Sequence, residues 1–216
     1  MLTKYEPVGS LVAPSTSSTP SLRSMGKVHS RPTPRPSYRH IFIITGPAGC
    51  GKSSVALHLA KQLDLPYIEG DDYHPQSNVD KMASGVPLTD DDRWDWLETI
   101  RKQAVGELEN GASGCVVTCS CLKRKYRDVI RLAGREADDV VMRFVYLRAD
   151  KELLLSRVRA RKGHYMKDDM VASQFEALEE PDETETDVIP IDVGGTLDSV
   201  KDASMDQVTR VMDEHV

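Results

Sequence analysis

The stretch Gly46-Pro47-Ala48-Gly49-Cys50-Gly51-Lys52-Ser53 follows the spacing G-x-x-x-x-G-K-[ST], that of a loop which wraps phosphate. Its glycines let consecutive backbone N–H groups converge on phosphate oxygens, and the positive end of a following helix strengthens the attraction. In such a loop Lys52 spans the β- and γ-phosphates, Ser53 offers its hydroxyl to Mg²⁺, and Ser54 completes the set on the helix side. A chance glycine-rich turn is the plain alternative. Context argues against it, because the apolar run Ile41-Phe42-Ile43-Ile44 leads directly into the loop and a helical pattern, Ser53 to Leu63, leads out of it.

A phosphate loop identifies a nucleotide, not a reaction, so the residues facing the transferred group must come from elsewhere. Glu69-Gly70-Asp71-Asp72-Tyr73-His74-Pro75 places carboxylates just past a short apolar run. Asp71 there can accept a proton from a substrate hydroxyl or serve Mg²⁺ through water; the alternative is a solvated acidic turn. Arg93 and Lys123 suit a substrate carboxylate or the transferring phosphoryl oxygens, the planar guanidinium fork being matched to the first task. For Arg93 the competing reading is an ion pair with Asp90 or Asp91. His74 either hydrogen-bonds substrate hydroxyls or braces the loop with Pro75. Trp94 and Trp96 are two apart and point apart on a helix, so one belongs to the core and the other can line a cleft.

These groups need a frame, and the pattern supplies one. Strands are expected at Ile41 to Thr45, Pro66 to Glu69, Val116 to Cys119, Val140 to Leu147 and Val188 to Ile191. Helices are expected at 53–63, from Thr89 through Leu108, and at 123–132, 151–162, 170–179 and 197–213. Thr89 with Asp92 reads as a capping-box-like start. Strands alternating with helices imply βαβ crossovers and a parallel sheet covered on both faces, an α/β three-layer sandwich of five strands. Ligands in such sheets bind beyond the carboxyl ends of the strands. That rule makes neighbours of the phosphate loop, the Asp71 to His74 loop and the Ser120 to Lys123 turn.

Residues 1–39 are crowded with Ser, Pro and Thr and carry six basic residues against the lone acid Glu6. Such a stretch buries too little apolar surface to offset its ordering entropy and is expected to be a disordered extension, with 40–216 the folded domain. A transit peptide or a start at Met25 are the other readings of this tail. The remaining 177 residues carry 22 basic and 33 acidic side chains, which argues against a nucleic-acid surface. No run approaches the ~20 apolar residues of a bilayer span, so no membrane role and a cytoplasmic location are expected. Cys50, Cys115, Cys119 and Cys121 contain no C-x-x-C pair and read as buried free thiols rather than as a metal or disulfide set.

Further words accompany these motifs: Asn78-Val79-Asp80-Lys81-Met82, Gly85-Val86-Pro87-Leu88-Thr89-Asp90, Asp92-Arg93-Trp94-Asp95-Trp96-Leu97, Cys119-Ser120-Cys121-Leu122-Lys123, Tyr126-Arg127-Asp128, Gly163-His164-Tyr165-Met166 and Ser173-Gln174-Phe175-Glu176-Ala177-Leu178-Glu179. Together and in this order they resemble the gluconokinase family. The resemblance covers the chain from about Ile41 onward. It implies ATP and Mg²⁺, phosphorylation of the 6-hydroxyl of D-gluconate, and a product, 6-phosphogluconate, that enters the pentose phosphate pathway. By the same resemblance Lys52, Asp71, Arg93 and Lys123 are catalytic, and the substrate is met by Asp71, His74, Arg93, Lys123, Arg127, His164 and Gln174. The metal falls to Ser53 and Asp71, and a helical lid brings Arg157 and Arg161 to the phosphates. Two departures stand out: Cys121 replaces a customary alanine, and Glu69-Gly70-Asp71-Asp72 stands where relatives often have Asp-Ala-Asp-Asp, which leaves the metal role of the first acid open. Another kinase of the same architecture, shikimate-like or nucleoside-monophosphate-like, and a nucleotide-binding regulator without turnover are the alternatives. A monomer and a homodimer both fit the sequence.

Removal of residues 1–39 is expected to leave turnover and melting temperature nearly unchanged, because a segment without buried contacts contributes to neither. Calorimetry showing a loss of more than ~1 kcal/mol would instead mean that the tail packs on the domain.

Overall fold

In the computed structural model, residues 38–135, 137–160 and 168–215 are described. β1 (Arg39–Thr45) is the middle of a five-stranded sheet whose other strands are β2 (Tyr67–Glu69), β3 (Gly114–Thr118), β4 (Val140–Arg148) and β5 (Val188–Asp192). Their order across the sheet is β2-β3-β1-β4-β5, and every pairing is parallel. Ile41, Phe42, Ile43 and Ile44 are all fully buried, the continuous apolar run of a strand covered on both faces.

Period-two alternation divides that run between two cores. Phe42 and Ile44 face α1 (Lys52–Leu63), α5 (Lys151–Ala160), α6 (Asp168–Ala177) and α7 (Leu197–Asp213), through Val55, Leu59, Leu154, Val171 and Val208. Ile41 and Ile43 face α3 (Trp94–Glu109) and α4 (Arg124–Arg131), through Trp96, Leu97, Ile100 and Ile130. The three-layer α/β/α sandwich is thus the one expected from the strand–helix alternation. Trp96 is the buried member of the tryptophan pair, while Trp94 packs edge-on to Tyr126.

Three local expectations are corrected. β1 starts at Arg39, whose guanidinium pairs with Asp139 at 2.7 and 2.8 Å and donates to the Leu108 carbonyl at 3.2 Å; a truncation that spares the strand therefore ends at residue 37. α2 (Gln76–Ala83) is a helix the apolar pattern does not announce, because its one buried residue is Asn78. It is held by buried Asn78, which donates to the Asp92 carbonyl at 2.6 Å. The Thr89–Asp92 pair does bond reciprocally, at 2.8 and 3.4 Å, but it closes a turn that precedes α3, and the helix begins only at Trp94.

The four cysteines are free and buried, and among the described residues no group of three or more His, Cys, Asp or Glu side chains is placed to hold a metal ion. No described helix is long and apolar enough to cross a membrane.

At the amino end of the sheet His40 is buried, stacked on Phe42 and edge-on to His215. Its Nδ1 has no hydrogen-bond partner among the described residues. Burial first, then the charges of His215 and Arg143, push its pKa down to about 4. A folded-state pKa below the ordinary value of about 6.5 means that the unfolded chain binds the proton more readily. The neutral imidazole's contribution is therefore complete above about pH 6.5 and is lost as the pH falls toward 4. The melting temperature is expected to drop across that window and His40→Phe to reduce the slope; a wild-type melting temperature flat from pH 6.5 to 4.5 would contradict this.

Candidate active site

The parallel register fixes which loops meet. Thr118 at the end of β3 lies opposite Ile44 on one side and Glu69 on the other, so the segments after all three emerge together. The phosphate loop follows β1, and Gly46 at φ 136° could not carry a side chain: a Cβ would sit 2.8 Å from the Leu147 carbonyl. Lys52 folds back over the loop and donates to the Gly46 and Pro47 carbonyls at 3.0 and 3.1 Å.

Ser53 donates to the Glu69 carboxylate at 2.9 Å, and the Tyr67 and Thr118 hydroxyls bond the same carboxylate. Burial raises the Glu69 pKa, but the hydrogen bonds from Thr118, Tyr67 and Ser53 outweigh it, and the group ends below its usual value. An ionised, braced carboxylate beside the loop hydroxyl is a donor set that fits Mg²⁺, which takes one or two carboxylates besides phosphate oxygens and water. The family resemblance gives the metal to Ser53 and Asp71 and leaves the first acid's role open; in the structure Glu69 is the acid that touches Ser53.

Asp71 reaches the cleft because Gly70 lies hard against β3. A Cβ on Gly70 would meet the Thr118 carbonyl at 2.0 Å. The Gly70 N–H donates to Thr118 Oγ1 at 3.0 Å and its carbonyl accepts from buried Trp96 Nε1 at 2.7 Å. The next side chain, Asp71, is 81% exposed. Desolvation by the surrounding protein nonetheless pushes its pKa up, Lys52 pulls it down, Glu69 and Asp72 raise it again, and Arg93 lowers it. Two neighbouring carboxyls are thereby moved in opposite directions, the pattern of a metal-type carboxylate beside a proton acceptor.

A cavity of about 270 Å³ is lined among others by Thr89, Asp90, Arg93, Leu122, Lys123 and Tyr126, and the Arg93 charge on its wall reaches Asp71. Asp90, which sequence reasoning named only as a partner for Arg93, accepts from Lys123 at 2.8 Å and also from Lys125 and Tyr126. Those contacts hold its carboxyl well below the usual range. The Arg93 guanidinium lies 5.7 Å from the centre of the Tyr126 ring. The wall thus carries Arg93 and an Asp90–Lys123–Tyr126 cluster, groups able to meet an anionic, hydroxylated molecule.

Residues 41–181 match the family model of an AAA domain. The chain is 43% identical to the probable gluconokinase of Schizosaccharomyces pombe over 85% of its own length and 95% of that protein. Against the thermoresistant gluconokinase of Escherichia coli the identity is 38% over 79% and 94%. The chain belongs to the gluconokinase family. The crystal structure of a gluconokinase from Sinorhizobium meliloti 1021 superposes with a TM-score of 0.71 at 34% identity, covering 83% of this chain and 96% of that one. The family expectation drawn from the sequence words is confirmed, and so is the fold it implied.

The family resemblance also assigned roles that the geometry redistributes. Arg127, expected on the substrate, is buried and pairs in a fork with Glu185 at 2.6 and 2.7 Å. Its remaining nitrogen donates to the Cys121 and Leu122 carbonyls at 3.1 and 3.3 Å, so it shapes the turn that carries Lys123. His74 is a brace: only 4% of its side chain is exposed, it stacks 4.1 Å from Trp96, and its Nε2 is 3.9 Å from Asp71. Burial, with the Arg93 charge, lowers its pKa to about 4 and keeps it neutral. Gln174 does not line the cavity; its Oε1 accepts from the Ala48 N–H at 2.7 Å. Arg157 donates to the Val193 and Gly195 carbonyls at 2.7 and 3.3 Å, on the loop after β5. Arg161 and His164 lie outside the described residues.

The Gly70 contact yields a test. Gly70→Ala is expected to cost roughly 2–3 kcal/mol of stability by overpacking and to lower kcat on the order of 10²-fold through displacement of Asp71. Denaturant titration and steady-state kinetics measure both, and a variant normal in both would show that the loop does not rest on Thr118.

Proposed function

We propose that this protein transfers the γ-phosphoryl group of ATP to the 6-hydroxyl of D-gluconate, giving ADP and 6-phosphogluconate for the pentose phosphate pathway. The observation that carries the reading is the common carboxyl end of β1, β2 and β3, from which a phosphate loop and an exposed carboxylate, Asp71, emerge, with Asp71 within electrostatic reach of Arg93, which walls a cavity together with Lys123. Membership of the gluconokinase family supports the choice of substrate.

The chemistry asked of the protein is mainly alignment and charge stabilisation, because the transition state of phosphoryl transfer is loose. Arg93 and Lys123 anchor the substrate carboxylate at one end of the cavity, which leaves the far end of the six-carbon chain toward Asp71. Asp71 accepts the 6-hydroxyl proton as O6 bonds to phosphorus and the bond from phosphorus to the bridging oxygen breaks. A carboxyl with a raised pKa is the better proton acceptor for that step. Lys52 leaves the loop carbonyls for the β- and γ-phosphates and stabilises charge on the transferring oxygens. Ser53 and Glu69 would hold Mg²⁺, which when bound neutralises phosphate charge.

A coupled assay for ADP release across gluconate, related sugar acids, shikimate and AMP tests the substrate, with gluconate expected to dominate. Asp71→Asn keeps the size of the side chain and removes the proton acceptor. Its kcat with gluconate is expected to fall ~10²–10⁴-fold while nucleotide affinity holds. An unchanged kcat with a raised KM for gluconate would make Asp71 a substrate clamp, and turnover of shikimate or AMP in preference to gluconate would overturn the substrate assignment.

A further inference from the structure

The peptide group joining Pro47 to Ala48 is held from both ends. Its carbonyl accepts from Lys52 Nζ at 3.1 Å, and its N–H donates to Gln174 Oε1 at 2.7 Å across 126 residues of chain. Ala48 is only 5% exposed, so water could not readily replace Gln174 as the partner of that N–H, and a buried donor left unpaired is costly. The group that accepts it is neutral, which suits a loop that must receive an anion.

Gln174 is itself well anchored. Val171, one turn before it on α6, is fully buried in the same core as Leu154 and Val158, and Phe175 packs against that core. Val158 on α5 also lies against the loop, since a Cβ on Gly49 would meet it at 3.1 Å. Beyond α6, the Glu179 N–H donates to the Leu122 carbonyl at 2.9 Å and the Glu179 carboxylate accepts from the Arg124 N–H at 2.7 Å. One helix therefore touches the phosphate loop and, two residues past its end, the turn that bears Lys123.

We propose that Gln174 is a positioning residue for the nucleotide. It fixes the plane of the Pro47–Ala48 peptide so that the loop keeps its phosphate-binding shape when Lys52 leaves the Pro47 carbonyl for the phosphates. Without nucleotide Lys52, the Cys50 N–H (3.4 Å from the Pro47 carbonyl) and Gln174 orient this peptide; with nucleotide the long Cys50 contact and the short Gln174 one remain, and Gln174 alone ties it to another element. The inference rests on the phosphoryl-transfer reading, and it differs from a substrate-binding role for Gln174, whose side-chain oxygen is already committed to Ala48.

The test uses the full chain and three readouts: dissociation constants for ATP and ADP by calorimetry, KM for gluconate at saturating ATP, and hydrogen exchange at the Ala48 amide. Gln174→Met keeps the length and removes the acceptor. Nucleotide binding is expected to weaken about 3–30-fold, because the competent loop shape is less populated. Ala48 exchange is expected to accelerate, and the gluconate KM to stay within about 2-fold, as a positioning role confined to the nucleotide requires. Gln174→Glu keeps an acceptor and so guards against a folding failure: Ala48 exchange stays slow, while the added charge weakens ATP more than ADP. Faster exchange in Gln174→Met with unchanged nucleotide affinity would reduce Gln174 to a structural strut. A rise confined to the gluconate KM would return it to the substrate. Because nucleotide affinity is read without gluconate, failure of this inference is distinguishable from failure of the gluconate assignment.

Discussion

Thr118 is the joint on which the site depends. Its backbone pairs β3 with β1 on one side and β2 on the other. Its hydroxyl bonds the Glu69 carboxylate and receives the Gly70 N–H, and its carbonyl leaves no room for a side chain on Gly70. A parallel sheet is rigid along its hydrogen bonds, so this one residue sets how far Asp71 stands from the loop that follows β1. The aromatic stack of His74 on Trp96 and the Trp96 N–H to Gly70 then lock the same segment from the side of α3. The precision demanded of phosphoryl transfer is thereby placed on strands and a buried helix rather than on loops.

Electrostatics completes what the backbone begins. Glu69 is kept ionised by three hydroxyl donors, and Asp71, two residues on and solvent-facing, is shifted upward. On the opposite wall Asp90 gathers Lys123, Lys125 and Tyr126, which sets Lys123 at the cavity rather than in open solvent. The Arg127–Glu185 fork is buried, and its two charges satisfy one another; burial pushes Glu185 upward but Arg127 and Arg131 bring its pKa down to about 2. Removing Glu185 would strand the buried Arg127, a far larger penalty than the pair's own net worth, whereas Glu185 is held by Arg131 as well. That pair orders the turn before Lys123 and has no need to touch the substrate.

The sequence made legible whatever is local or periodic. The phosphate loop announces itself by glycine spacing between a β-rich run and an amphipathic helix, and the five strands by apolar runs with helical segments between them. Long-range pairing was not legible. Arg127 and Glu185 are 58 residues apart, and nothing near Arg127 shows that it turns inward while Lys123, four residues earlier, turns to the cavity. Gln174 and Ala48 are farther apart still. α2 escaped for another reason: its residues are mostly polar, and it owes its place to one buried asparagine and to Pro75 before it. Glu69 was readable as an acid at a strand end but not as the partner of Ser53, because that depends on the register of β2 against β3.

In this mechanism the anchored carboxylate and the reacting hydroxyl are opposite ends of one molecule, and regiochemistry measures this directly. The product formed from uniformly ¹³C-labelled D-gluconate and ATP can be read by carbon NMR for coupling to phosphorus. Splitting at C6 and C5 is the predicted result. Phosphorus coupling at any other carbinol carbon, or no phosphorylated sugar acid alongside ADP, would contradict the placement of Asp71, Arg93 and Lys123 on which the account rests.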